Sequence, residues 1–183
     1  MANLWRAPAL TVLATAWALA QAQVSSSTQW WSYLADYDGM PGSTRVDMGQ
    51  KNTAPLSTLP YVVIVGVEYE TNLASGLPSQ EELDHLNGIA DRLIEPVLAT
   101  TPSIYVGTFT HKRQQEHYIY VQSLTGTEEV FRTAIAQACP SCRPLYRTKI
   151  DPKWDTYLKF LYPNTVTMEY YGYDPKRVRR YRE

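Results

Sequence analysis

Residues 61–67 read Tyr-Val-Val-Ile-Val-Gly-Val, the most apolar stretch of the chain after its first 22 residues. The run is β-branched and continuous, with no polar residue at alternate positions. A strand buried on one face alternates, whereas a continuous apolar run implies burial on both faces and hence a central strand.

Downstream, a loop ends in Gly76-Leu77-Pro78. Ser79 and Glu82 then form a capping box that opens a helix. Leu83, Leu86, Ile89, Leu93 and Val97 recur at spacings of three and four, which gives that helix one apolar face. Pro96 is expected to end or bend it. Two strands follow, 103–110 and 115–123, joined by a tight basic turn at His111-Lys112-Arg113. A second helix is expected over 127–138, and 145–150 reads as a strand. Asp151-Pro152 is expected to open a third helix, with Asp as N-cap and Pro at the first helical position. Trp154, Tyr157, Leu158 and Leu161 share a face of it, and Pro163 stops it.

Upstream, 28–38 (TQWWSYLADYD) reads as a strand ending in the turn signal Asp38-Gly39. With Met40-Pro41-Gly42 as a turn and 43–48 as a second strand, it makes a hairpin. The order from Tyr61 is strand, helix, strand, strand, helix, strand. The expected fold class is therefore α+β, a ferredoxin-like βαββαβ sheet with a preceding N-terminal hairpin and a C-terminal helix.

The ends are of another kind. Residues 1–22 carry a single charge, Arg6, ahead of an apolar run from Ala9 to Ala20. That run is about 12 residues, too short for a bilayer core of roughly 30 Å. One positive charge, a short apolar stretch and small residues are the layout of a secretory signal. Cleavage is expected after Ala22, with Ala20 as the alternative. The mature chain then lacks Arg6, has a net charge near −2 and carries no transmembrane helix. The expected location is periplasmic or secreted. The domain is expected over 23–164. Residues 165–183 form a Tyr-rich and basic tail, in which 165–173 could add an edge strand and Arg177, Arg179 and Arg180 are candidate contacts for an anionic partner.

With a whole-chain net charge of −1, no global field attracts nucleic acid or an anionic membrane. Cys139-Pro140-Ser141-Cys142 is the sharpest chemical motif. In an oxidising compartment the two cysteines are expected to pair. A redox centre would need the first cysteine at a helix N-terminus, where the dipole favours thiolate; here the motif follows a helix. Two cysteines alone do not complete a zinc site. His85, His111 and His117 are the three histidines, and no serine stands in a Gly-x-Ser-x-Gly elbow, so no catalytic set emerges. Trp154 and Tyr157 read first as core and second as pocket residues. Tyr118 and Tyr120 share a strand face, as base-stacking residues would, yet an all-apolar central strand implies that both sheet faces are covered.

Asp151-Pro152-Lys153-Trp154-Asp155-Thr156-Tyr157 with Phe160-Leu161-Tyr162-Pro163 resembles the C-terminal signature of domain of unknown function 695. Gly76-Leu77-Pro78, Tyr105-Val106-Gly107-Thr108 and Glu116-His117-Tyr118-Ile119-Tyr120 also resemble that family, over roughly residues 28–163. The family in turn is similar to the bacterial regulator of ribonuclease activity B, which implies a ferredoxin-like fold; no catalytic residues are established for the family, so the resemblance implies a fold more than an activity. An exported chain would not meet a cytosolic ribonuclease, so that target is not carried over. The expected function is a non-enzymatic binding or regulatory domain with an unidentified envelope protein or ligand as partner and no cofactor. A thiol-disulfide redox protein using Cys139 and Cys142 is the alternative.

Overall fold

In the computed structural model, the run around Val63 becomes a strand deep inside a mixed α+β domain, and residues 28–174 are described. Six strands make one antiparallel sheet: β1 (Trp30–Tyr37), β2 (Met40–Asp47), β3 (Tyr61–Glu68), β4 (Ser103–His111), β5 (Gln114–Val121) and β6 (Arg143–Ile150). Their order across the sheet is β1-β2-β4-β5-β3-β6. β3 lies between β5 and β6, antiparallel to both. Gly66 interrupts its branched run because a Cβ there would collide with the backbone carbonyl of Gln115.

Helices α1 (Gln80–Thr100) and α2 (Thr127–Ala138) cover one face. The capping box at the start of α1 is formed on both sides: Glu82 N donates to Ser79 Oγ at 3.3 Å, and Ser79 N donates to Glu82 Oε2 at 2.7 Å. Pro96 does not end α1, which continues for another turn with Thr100 Oγ1 bonded to the Pro96 carbonyl. Val63, Val65, Val67, Ile119 and Val121 meet Leu86, Ile89, Leu93, Val97, Phe131 and Ile135 in a mainly aliphatic core.

Both hairpins turn on two residues at positive φ, Asp38-Gly39 (55° and 78°) and Lys112-Arg113 (47° and 63°). Such loops match the right-handed twist of the strands they join. Met40-Pro41-Gly42, expected as the turn, therefore lies within β2. Tyr37 pairs with Met40, and Pro41 falls beyond the residues of β2 that β4 pairs, so its missing N–H interrupts no inter-strand ladder there.

The chain after β6 crosses the opposite face. Asp151-Pro152 does not start a helix: Asp151 to Trp154 is a turn, with Trp154 at φ 56°. The helix begins one residue later and is π-helical over Thr156–Leu161. Asp151 still caps it, from farther upstream: Asp155 N donates to its Oδ1 and Thr156 N to its Oδ2. Residues 165–170, expected as edge strand, form a short helix α3 (Thr165–Tyr170) whose Asn164 cap accepts from Thr167 N. At the β1 edge a single side chain does the work of a strand. The Tyr171 hydroxyl donates to the Leu34 carbonyl at 2.9 Å and accepts from Leu34 N at 3.2 Å. Tyr171 and Tyr173 both pack on Trp31.

Candidate functional site

The four aromatic candidates lie inside the protein. Trp154, Tyr157 and Tyr120 are fully buried and Tyr118 nearly so. Tyr118 and Tyr120 do share a face of β5, but the segment after β6 covers it. Trp154 stacks on Tyr120 with centroids 3.9 Å apart, and its Nε1 donates to the Leu59 carbonyl. Tyr120 OH donates to Asp151 Oδ2 at 2.6 Å, and Tyr157 OH donates to the Asp47 carbonyl. Tyr118 OH donates to Glu116, which is also ion-paired with Arg147. Burial, with the neighbouring carboxylates adding to it, pushes the hydroxyls of Tyr118, Tyr120 and Tyr157 far up, so they stay protonated. Trp154, Tyr120 and Tyr157 pack wholly inside the protein, and Tyr118 also lines a small cleft with Phe109, Glu116, Arg147 and Phe160. Burial also acts to raise the Asp151 pKa, but hydrogen bonds from Tyr120, Thr156 and Asp155 outweigh it and hold the carboxyl below its usual range.

Cys139 and Cys142 are joined by a disulfide, with Cα atoms 5.3 Å apart. Cys139 is the C-cap of α2, its N–H bonded to the Ile135 carbonyl. The bond forms one wall of a cleft of about 440 Å³ between the end of β3 and the first turns of α1. Leu86 and Ile89 give it an apolar floor, and Glu68, Glu70, Glu81 and Glu82 give it an acidic rim. Glu82 is engaged by the cap, and its pKa is lowered first by the Ser79 N–H. Glu68 lies 3.6 Å from Arg143 and accepts from Gln114. Glu70 and Glu81 have no cation within 4 Å among the described residues. This rim was not foreseen from sequence, because Glu70 and Glu81 lie on separate elements and only the fold joins them.

The histidines do not form a catalytic set. His85 is an exposed residue at the cleft, and His111 Nδ1 contacts the Pro41 carbonyl. His117 is buried, its Nδ1 3.1 Å from Tyr105 OH and 3.2 Å from Thr108 Oγ1. Burial, followed by the nearby positive charge of Arg45, pushes its pKa down to about 4. Beside it a smaller polar groove runs between α1 and strands β1, β2, β4 and β5, and includes Arg45. The alternating polar pairs Ser43-x-Arg45 and Thr108-x-Thr110 are the sequence signal for that groove.

Arg177, Arg179 and Arg180, and residues 1–22 with their expected secretory signal, lie outside the described residues. Among the described residues no helix is long and apolar enough to cross a membrane, and no three His, Cys, Asp or Glu side chains gather as metal ligands.

No curated protein and no solved structure matches the chain. The family model described as family of unknown function (DUF695) matches residues 28–162, which is most of the chain, and the protein belongs to that family.

Proposed function

We propose that this is an exported, non-enzymatic binding or regulatory domain, and that its partner offers a basic segment to the cleft beside the disulfide. The observation that carries this reading is the pairing of an apolar floor with two carboxylates, Glu70 and Glu81, that form no ion pair among the described residues, in a cleft large enough for a side chain or two. A lysine or arginine stem would cover Leu86 and Ile89 while its charged head meets the rim. The leader-like layout of residues 1–22 supports export, and so does the disulfide, since such bonds persist in oxidising compartments.

The test is a pull-down from envelope extract with the full chain and with the Glu70→Lys, Glu81→Lys variant. A partner should be retained by the first, weakened by salt, and lost by the second. Recovery of the same proteins by both would remove the cleft from the mechanism. N-terminal sequencing of the cellular protein should begin at Gln23 or Gln21; an intact Met1 would sink export.

The redox alternative draws support from one fact, that both cysteines line the cleft. Electrostatics oppose it. The C-terminal end of α2 carries partial negative charge and the rim adds glutamates, both of which disfavour a thiolate. Arg143, the nearby cation, lies against Glu68. The same reading takes β3-α1-β4-β5-α2-β6 as a ferredoxin-like unit, supported by the sheet order β4-β5-β3-β6, with the β1–β2 hairpin added beside β4. It takes the likeness to the regulator of ribonuclease activity B as one of fold, with a different target.

A further inference from the structure

The helix-facing side of the sheet changes character along its rows. Val65 of β3 pairs with His117, His117 with Thr108, Thr108 with Arg45, and Arg45 with Ser32. In the next row Val67 pairs with Gln115, Gln115 with Thr110, and Thr110 with Ser43. Both rows begin as core and turn polar within one strand, and the second ends on exposed Leu34 of β1, opposite Ser43. α1 seals the apolar ends. Only its Leu83 and Asn87 reach the polar ends, leaving a groove of about 170 Å³.

This is not an ordinary solvated sheet edge. Gln115 is 2% exposed and Thr110 5%, and Gln115 Oε1 has no hydrogen-bond partner among the described residues. A buried acceptor left unpaired is unfavourable, and such groups are rare unless a ligand or water completes them. Arg45 is the one charged residue lining the groove, and it forms no ion pair among the described residues. Arg45 is exposed, and its guanidinium lies 4.8 Å from the centroid of the Trp30 ring, which in turn packs on Tyr105. His117 behind it stays neutral at neutral pH, so Arg45 gives the groove a single positive charge.

We propose that this groove binds a small oxyanion-bearing ligand, a carboxylate or a phosphate, held by Arg45 and by the hydroxyls of Ser43 and Thr110, while Thr108 Oγ1 stays bonded to Tyr105 OH and His117 Nδ1 in the groove wall. A planar guanidinium matches two oxygens of either group, and hydroxyls donate to the rest. Gln115 Oε1 can only accept, so it does not bind the oxyanion itself but favours a ligand that carries a hydroxyl or amine donor beside it. The volume equals roughly five or six waters, room for one such head group rather than a large cofactor. The site lies on the other flank of α1 from the glutamate cleft, so it stands or falls separately from the partner proposed there.

The test is two-dimensional NMR of the full chain, titrated with acetate, inorganic phosphate and sulfate at constant ionic strength, with chloride as the reference salt. The Trp30 indole N–H and the Asn87 amide should shift and saturate with at least one of them. Acetate alone saturating would identify a carboxylate site, and phosphate or sulfate a tetrahedral one. Arg45→Gln should weaken the response about tenfold or more. Asn87→Leu, at an exposed helix position, should weaken it by closing the mouth of the groove, and it decides the matter if Arg45→Gln does not fold. Shifts that rise linearly with every salt including chloride, or saturation unchanged in both variants, would overturn the proposal.

Discussion

On the helix side of the sheet, Val63, Val65, Val67, Ile119 and Val121 meet the apolar faces of α1 and α2. On the other side, Tyr118 and Tyr120 meet Trp154, Tyr157 and Leu161 from the segment that follows β6. The first layer is mainly aliphatic and is held by area and shape. The second is aromatic, and its polar tips are tied: Tyr33 to the Leu161 carbonyl, Tyr157 to the Asp47 carbonyl, Trp154 to the Leu59 carbonyl, Tyr120 to Asp151. Area burial stabilises both, at roughly 25 cal/mol per Å². The aromatic layer adds a larger penalty for a ring that lands out of place, because a displaced tip there leaves a buried polar group unpaired, whereas on the helix side tied tips such as Tyr69 and Tyr146 lie at the half-buried margin. The contrast explains how a short irregular segment, π-helical and turning through a positive-φ Trp154, is fixed against the sheet by hydrogen-bonded ring tips as well as by burial.

The largest expected effect falls on that segment. Trp154→Ala removes a fully buried ring stacked on Tyr120 and should cost about 3–5 kcal/mol in chemical denaturation. A loss under about 0.5 kcal/mol would mean that the ring is at the surface. Conservative exchanges sharpen the comparison. Leu93→Met in the aliphatic layer should cost less than about 1.5 kcal/mol. Trp154→Phe keeps a ring but leaves the Leu59 carbonyl without its donor, and should add about 1–3 kcal/mol for that alone. Equal costs for the two exchanges would dissolve the distinction between the layers.

What the chain discloses locally and what it does not follows the same division. The capping box of α1, its apolar spacing and the branched run of β3 are signals between near neighbours, and the elements form where those signals stand. The aromatic layer depends on distant partners. Asp151-Pro152 carries a sound local helix-start signal, yet the Asp151 carboxylate is held by Tyr120, thirty-one residues upstream, and by N–H groups four and five residues on. Residues 165–173 look β-forming by their tyrosines, but the Asn164 cap starts a helix instead. Tyr171 and Tyr173 are then placed by stacking on Trp31, which no local pattern announces. The groove at Arg45 needed the register of four strands before its polar residues became neighbours.

A smaller effect belongs to His117, which stands where the aliphatic rows turn polar. Its folded pKa is about 4, lowered by burial and then by Arg45, against about 6.5 in an unfolded chain. Above about pH 6.5 it is neutral in both states and its contribution is complete. Between about 6.5 and 4 the unfolded chain binds a proton that the folded one refuses, so stability falls as pH drops through that window, by up to about 3 kcal/mol. Urea unfolding at pH 7.5, 6 and 5 measures the slope. His117→Gln should flatten it; an identical slope in the variant would mean that other groups carry it.

The smallest effect is expected at the disulfide, at the margin of the aliphatic layer, where Cys139 and Cys142 pack against that core from the α2–β6 connection. The bond closes a loop of only a few residues, since the cysteines are three apart in sequence. Constraint of the unfolded chain grows with loop length and reaches roughly 3 kcal/mol for a 15-residue loop, so this bond should contribute less. The layer beneath it does not depend on the bond, because its contacts come from β3, β5, α1 and α2. Replacing both cysteines with serine should therefore leave the fold intact and lower stability by less than about 3 kcal/mol. The same variant separates structure from chemistry. With α2 ending at Cys139 and glutamates around the cleft, a thiolate there is disfavoured, and the protein should not turn over in an insulin-reduction assay. Turnover by the native chain that vanishes in the double serine variant would establish the redox reading. It would also show that the marginal disulfide, rather than either packed layer, is what the fold was built to hold.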